Sequence, residues 1–243
     1  MSVAGQTKIR LHYLMALPAF ALFAVFFLYP LARSVGFSLT DWDGIRPPSF
    51  VGLTNFRRFF SDQRARNDIS NTLLFALGSA PLLNVVGLCY ALLMDRRVRL
   101  IGAARMAVYL PAVVSPLVMG YIWYFILQPQ RGFLARLFPQ AAAFSAQAGW
   151  FGDRPSALLV LVLVNVWQYA GMTMIVYLAG LQSIPRELYE AAEIDGAGAT
   201  AKLARVTLPL LYPAIQVNVV TNIIGSLAVF DVVVSLTGGG PGY

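Results

Sequence analysis

ELYEAAEIDGAGATAKLARVTLPLL, residues 187–211, interrupts a chain that is otherwise apolar over long runs. Glu187, Glu190, Glu193 and Asp195 crowd into it, although the whole chain has only 11 acidic residues. Glycines follow at 196 and 198, then Lys202 and Arg205, then Pro209 at the head of the next apolar run. Ser183 reads as the cap of a helix start, with Pro185 tolerated in its first turn. Glu187 and Glu190 then lie near the positive end of the helix dipole, where carboxylates are favoured. Gly196 and Gly198 follow the last turn, where glycine accepts a left-handed backbone. A second short helix, TAKLARVTL, leads to Pro209. The reading is helix, tight turn, helix, over about 183–208. Ala191 and Ala192 thin one side of the first helix, a shape suited to a groove on another protein. A solvated connecting loop is the plainer alternative.

The surroundings of this hairpin are those of a membrane protein. The 243-residue chain is 58% hydrophobic and 12% charged, with a mean hydropathy of +0.67. Soluble domains carry about 25% charged residues. A spanning helix needs about 20 apolar residues. Five segments qualify, at about 13–35, 69–94, 105–127, 156–181 and 209–236. The first follows Lys8 and Arg10, as a signal peptide would, but its apolar stretch is too long and no small-x-small site closes it. It reads as a retained helix. The expected fold is an all-α polytopic bundle.

Arginine-rich short loops set the orientation. DRRVRLIGAAR places Arg96, Arg97, Arg99 and Arg105 in one loop, which makes that loop cytoplasmic. Alternation then puts the N-terminus and the hairpin inside, and Tyr243 outside. The organisation expected is a cytoplasmic N-terminus and first span over 1–40, a periplasmic loop over 41–68, and a core membrane domain over 69–243. The 41–68 loop carries five arginines against four aspartates, and its NFRRFF stretch fits an interfacial helix.

Polar groups inside spans are costly and face protein or a water-filled path. Asn165, Gln168, Tyr169 and Met172 repeat at i, i+3, i+4, i+7, one helix face. Asn218, Asn222, Gly225 and Ser226 repeat at i, i+4, i+7, i+8, again one face. Two readings stand open: two walls of a hydrophilic path for a hydroxylated solute such as a sugar, or interhelical hydrogen bonds with small residues as packing. No basic residue sits mid-span to bind an anion. Asp231 lies near the outer end of the last span, at the interface. Trp123 and Tyr124 read as membrane-belt residues, and Trp167 as belt or path.

Several function classes drop out. The net charge of +7 comes from 16 arginines and two lysines scattered over loops, facing headgroups and cytosol rather than nucleic acid. Cys89 and His12 occur once each, so disulfide, zinc and Cys/His catalytic readings fail; Cys89 reads as a small apolar packing residue. Ser115 and Ser226 have no base near them in sequence. No catalytic residue, cofactor or metal is expected. GAGATA at 196–201 fits the dinucleotide fingerprint, but an acidic helix precedes it where a strand is required. Neither Lys8 nor Lys202 follows a glycine, so the chain supplies no P-loop. If ATP drives it, another subunit binds the ATP. An ion-gradient-driven carrier is the alternative, although neither a repeat nor a mid-span carboxylate couple is present.

The hairpin resembles the E-A-A-x3-G-x9-I-x-L-P signature of permease subunits of bacterial binding-protein-dependent ABC importers. It reads Glu190-Ala191-Ala192, three residues, Gly196, nine residues, Val206-Thr207-Leu208-Pro209, with Val206 replacing isoleucine. SLTDWDG at 38–44, FVGLTNFRRFF at 50–60 and SLTGGGPG at 235–242 are similar to the sugar-importer branch. The resemblance covers nearly the whole chain and implies a MetI-like bundle in the inner membrane. Family members carry six spans, so a further one is expected beyond this chain. It implies a pore built with a second permease, a paralogue or a copy, with two cytoplasmic ATPase subunits and an extracytoplasmic solute-binding protein. Glu187, Glu190, Ala191, Ala192, Asp195 and Gly196 would form the coupling helix and turn that sit in the ATPase. The solute would lie on the faces carrying Asn165 and Asn222.

Overall fold

The computed structural model describes residues 14–95, 100–128, 132–137 and 150–240. The arginines at 96, 97 and 99, His12 and the last three residues of the chain lie outside that set. Apart from one isolated antiparallel bridge, Thr40 to Phe50, the described regular structure is helical.

Two compact units result, Met1–Arg66 and Asn67–Tyr243. In the first, α1 (Leu14–Ser38) is long and apolar enough to cross a membrane, and none of it is buried. A widened π turn occupies Ala24–Leu28 within it. The loop that follows is pinned by Asn55, whose Nδ2 donates to the carbonyls of Ser38 (3.0 Å) and Thr40 (2.7 Å). Helix α2 (Thr54–Ser61) covers NFRRFF.

Helix α3 (Gln63–Met94) begins well before residue 69, where the apolar run starts. Its C-terminus is capped by Arg105, whose Nη2 donates to the Met94 carbonyl at 2.6 Å; a cation is favoured there by the helix dipole. Arg105 is therefore half-buried against protein, not a free loop charge. Cys89 is exposed on this helix, which corrects its assignment as a packing residue: it stands on the outward face of α3.

The segments at 105–127 and 209–236 do not form straight rods. The first is α4 (Ile101–Val113) and α5 (Pro116–Leu127), bent by 98°. Ser115 precedes Pro116 and is driven to extended backbone, ψ 135°, because the proline ring clashes with a helical predecessor. After α6 (Phe133–Leu137) comes α7 (Arg154–Gln182), an unbroken 29-residue helix about 43 Å long. The hairpin follows as α8 (Arg186–Ile194) and α9 (Ala199–Leu210), and α9 meets α10 (Tyr212–Leu227) at 70°. The chain opens again at Ala228–Phe230 before α11 (Asp231–Thr237). Among the described residues three helices are long and apolar enough to cross a membrane, and up to five spans result if each bent pair counts as one.

Helix α7 is the axis of the second unit, with buried residues along its whole length. Near its start Val160, Leu161 and Val164 pack with Phe75, Leu83, Val232 and Leu236. Near its end Met174, Tyr177, Leu178 and Leu181 pack with Ala91, Ile184 and Leu211. Burial of a large aliphatic or aromatic side chain contributes about 1.5–3 kcal/mol in water; between membrane helices close packing takes over that role. Gly171 shows how close: a Cβ there would stand 2.8 Å from the Tyr109 Cα and would run into the Val108 carbonyl. Helices α7 and α4 meet backbone to backbone.

Candidate functional site: a polar cavity joined to an exposed hairpin

The hairpin is ordered by its own bonds. Gly196 has φ +75°. Its N–H donates to the Glu193 carbonyl (3.0 Å), and the Ala197 N–H to that of Ala192 (2.8 Å). These are the paired bonds of a Schellman cap. Gly198 differs from expectation: at φ −68° and ψ 172° it is the N-cap of α9 and is not left-handed. Ser183 does not cap α8 either. Its Oγ donates back to the Gly180 carbonyl at 2.7 Å and ends α7, and Pro185 takes the N-cap position. The reason is local: Pro185 disfavours helical backbone at Ile184, so the helix starts at Arg186, two residues later than a Ser183 cap would place it.

Two contacts tie the arms. Lys202 Nζ lies 2.6 Å from Glu193 Oε1. The hydroxyls of Tyr189 and Thr207 are 3.1 Å apart, with Thr207 buried in a π turn, Leu203–Thr207. Glu187, Glu190, Ala191, Asp195 and Gly196 are exposed and Ala192 half-buried. Ile194 is 88% exposed, so an apolar side chain stands beside the acidic ones at the tip. Ile184, buried, anchors the hairpin to the end of α7.

Part-way along α7 from the hairpin, α7 and α10 face each other across a cavity of about 390 Å³. Asn165, Tyr169, Met172, Asn218, Asn222, Gly225 and Ser226 all line it. Both polar stripes read from spacing thus meet at one place. Gln168 does not line it. Its Nε2 donates to the Val114 carbonyl at 3.0 Å, an acceptor freed by the break between α4 and α5. At 100° per residue Gln168 sits about 60° round α7 from Asn165, away from Tyr169. It fills the helix break.

Hydrogen bonds across helices account for part of the polarity. Asn165 Nδ2 donates to Ser79 Oγ (2.5 Å), Asn218 Nδ2 to the Thr173 carbonyl (3.2 Å), and Thr173 Oγ1 to Asn222 Oδ1 (3.3 Å). Tyr177 OH donates to Asn84 Oδ1 at 2.6 Å. Asn222 Nδ2 and Ser226 Oγ, both buried atoms on the cavity wall, have no partner. A buried donor or acceptor left unmade costs about 1–3 kcal/mol. These two atoms are the wall's open valences.

Thr173, Val176, Thr221 and Asp231 also line the cavity and were not among the sequence candidates for the path. Thr173 and Val176 continue the Asn165–Tyr169–Met172 stripe by another turn, and Thr221 stands three residues after Asn218, so helical spacing carried the signal. Asp231 reaches the cavity only because α10 ends at Leu227 and the chain turns before α11. Trp123 and Trp167 stack edge to face, centroids 5.4 Å apart, and neither lines the cavity. Among the described residues no group of acidic, His or Cys side chains could hold a metal ion.

A second cavity of about 340 Å³ lies at the end of the bundle remote from the hairpin. It shares Val229 and Phe230 with the first. Its Arg154 donates from Nε to Asn71 Oδ1 (2.5 Å) and from Nη2 to Ser70 Oγ (2.8 Å).

Comparison with known proteins meets this geometry from another side. The family described as "Binding-protein-dependent transport system inner membrane component" matches residues 83–243. The probable starch degradation products transport system permease protein AmyD of Thermoanaerobacterium thermosulfurigenes is 34% identical over 231 residues, 95% of this chain and 78% of that protein. The trehalose/maltose transport system permease protein MalF of Thermococcus litoralis is 33% identical, over 96% of this chain and 79% of its own length. The sn-glycerol-3-phosphate transport system permease protein UgpA of Yersinia enterocolitica is 34% identical over 95% and 78%. Among solved structures, a chain of a bacterial ABC transporter involved in the import of the acidic polysaccharide alginate superposes with a TM-score of 0.75 at 27% identity, over 95% of this chain and 78% of that one. A chain of the bacterial alginate ABC transporter in complex with alginate pentasaccharide-bound periplasmic protein also scores 0.75, at 26% identity.

Proposed function

This chain belongs to the family of binding-protein-dependent transport system inner membrane components, in the sugar-importer branch, and on that premise we propose that it moves a sugar or related hydroxylated solute inward through the cavity between α7 and α10. The single observation that carries the reading is the wall itself: Asn165, Tyr169, Asn218, Asn222 and Ser226 line one space of about 390 Å³, and Asn222 Nδ2 and Ser226 Oγ are buried there without a partner. Amide and hydroxyl groups with an aromatic ring suit a polyol, whose hydroxyls both donate and accept. The names of AmyD and MalF support this solute class.

In this reading the hairpin couples transport to ATP. Glu187, Glu190, Ala191, Ala192, Asp195 and Gly196 form an exposed, capped helix and turn that fit a groove of a cytoplasmic ATPase subunit. The chain itself is non-catalytic. Helix α7 runs unbroken from the cavity to the hairpin anchor, about 14 Å from Thr173 to Gln182 at 1.5 Å per residue. Closure of an ATPase pair would push on the hairpin, and α7 would carry that displacement to the cavity wall as a rigid element. The two ends of one helix thus bias one equilibrium between inward-open and outward-open states.

The assembly proposed is a pore with a second permease, a paralogue or a copy, on two ATPase subunits, fed by an extracytoplasmic solute-binding protein. The N-terminus and hairpin lie on the cytoplasmic side and residues 41–68 on the periplasmic side, with 69–243 as the membrane core. The ion-gradient alternative finds no support among the relatives. The test is affinity purification from source membranes in mild detergent, with ATP hydrolysis assayed on what co-purifies. An ATPase that comes down with the wild-type chain and not with Gly196→Asp supports the reading. A chain that purifies alone and moves solute on an ion gradient overturns it.

A further inference from the structure

Among the described residues, the cavity between α7 and α10 is lined by one carboxylate, Asp231, and by neither Lys nor Arg. We infer that Asp231 is the residue by which this permease takes up a neutral hydroxylated solute and rejects an anionic one. The inference rests on the cavity being the solute site, as proposed above.

Asp231 opens α11, and its side chain is exposed at the cavity wall. The ion pairs among the described residues are Arg46–Asp43 and Lys202–Glu193, and Asp231 belongs to neither. Its hydrogen bond to a side chain among the described residues uses the backbone: the Asp231 carbonyl accepts from Ser235 Oγ at 2.7 Å. Both carboxylate oxygens are therefore open to a ligand. The neighbouring open groups, Asn222 Nδ2 and Ser226 Oγ, are neutral.

A carboxylate accepts two hydrogen bonds from adjacent hydroxyls of one sugar ring, and ionised acceptors bind about twice as strongly as neutral ones. The same charge works against a phosphate or uronate. Asp231 is exposed, so solvent screens part of this repulsion, but no lining cation among the described residues offsets the like charge. Arg154 keeps its charge but lines the other cavity, where Nε and Nη2 bond neutral groups of α3, and it makes no ion pair with Asp231. Relatives whose names specify sn-glycerol-3-phosphate or an acidic polysaccharide resemble this chain over most of its length, so the architecture by itself does not fix the charge of the solute.

The test is equilibrium binding to the purified permease–ATPase complex without binding protein, which removes that protein's own selectivity. The probes are radiolabelled maltose, trehalose and lactose against sn-glycerol 3-phosphate and an alginate trisaccharide. Wild type should bind at least one neutral sugar and should bind the anions at least ten-fold more weakly. Asp231→Asn, which keeps size and shape, should weaken the neutral sugar by roughly ten-fold and narrow the gap to the anions. Equal binding of neutral and anionic probes by wild type, or an Asp231→Asn variant that binds the neutral sugar unchanged, overturns the inference. If Asn222→Leu impairs binding while Asp231→Asn does not, the cavity remains the solute site and only the role of Asp231 falls. If no probe binds, or neither variant matters, the cavity is not the solute site and both readings fall together.

Discussion

Lys202 Nζ lies 2.6 Å from Glu193 Oε1, so an ion pair closes the two arms of the hairpin across the Gly196 turn. Glu193 is well exposed, and such a pair contributes at most about 1 kcal/mol. Lys202→Ala should therefore leave uptake within about two-fold of wild type. Gly196 differs in kind: φ +75° costs an L-residue about 1–2 kcal/mol, although no atom stands within 4 Å of its missing Cβ. Gly196→Asp should reach the membrane at wild-type levels yet lose solute-stimulated ATP hydrolysis. Unchanged stimulation in that variant would count against coupling through the hairpin.

Asn222 can be tested as a wall group. Its Oδ1 accepts from Thr173 and its Nδ2 is open. Asn222→Leu removes both, at about 1 kcal/mol per hydrogen bond to solute. The KM for uptake should rise five- to ten-fold with co-purification of the partner subunits intact. Unchanged uptake kinetics would reassign this face to packing.

Gly171 and Gly225 separate packing from function. Gly171→Leu would drive a side chain into the Val108 carbonyl and the Tyr109 backbone. The thermal midpoint in detergent should fall by several degrees, or the protein should fail to accumulate. At Gly225 nothing lies within 4 Å of a Cβ, and the residue lines the cavity. Gly225→Leu should keep the wild-type melting temperature and lose transport. A reversal of these two phenotypes would show that α7 and α4 do not meet as described.

The loop after α1 should loosen in acid. Asp41 is held below the ordinary carboxylate value of 3.8 chiefly by the Ser49 N–H at 2.8 Å. Asp43 is held below it by the Arg46 and Ile45 N–H groups at 2.9 and 3.0 Å. A depressed folded-state pKa contributes stability above the unfolded value, lost as pH falls through the folded one. Amide exchange at Ser49, Ile45 and Arg46, corrected for intrinsic rates, should show protection above pH 3.8 that declines below it. Protection independent of pH would remove the carboxylates from this role.

Local spacing made much of the site legible. Asn165, Tyr169 and Met172, and Asn218, Asn222, Gly225 and Ser226, were placed on two stripes by helical period alone, and those stripes line one cavity. Gln168 shared the spacing and went elsewhere, because Pro116 breaks a neighbouring helix and frees a carbonyl that only a spatial neighbour can satisfy. Ser183 had the residue type of a cap but served the preceding helix, since Pro185 already fixed where the next one starts.

Hydropathy and the Glu190–Pro209 signature determined, from the sequence by itself, a multi-span helical permease of the binding-protein-dependent importer family. Those are properties of composition and of contacts a few residues apart, and one helix carries them without its neighbours. The tertiary structure alone decided that two of the five segments are bent by 98° and 70°, that Asp231 joins the cavity, and which polar atoms stay open. Each depends on where a separate helix comes to rest: a proline frees a carbonyl, a bare glycine admits a backbone, and the unpaired groups are those that no neighbouring helix reaches.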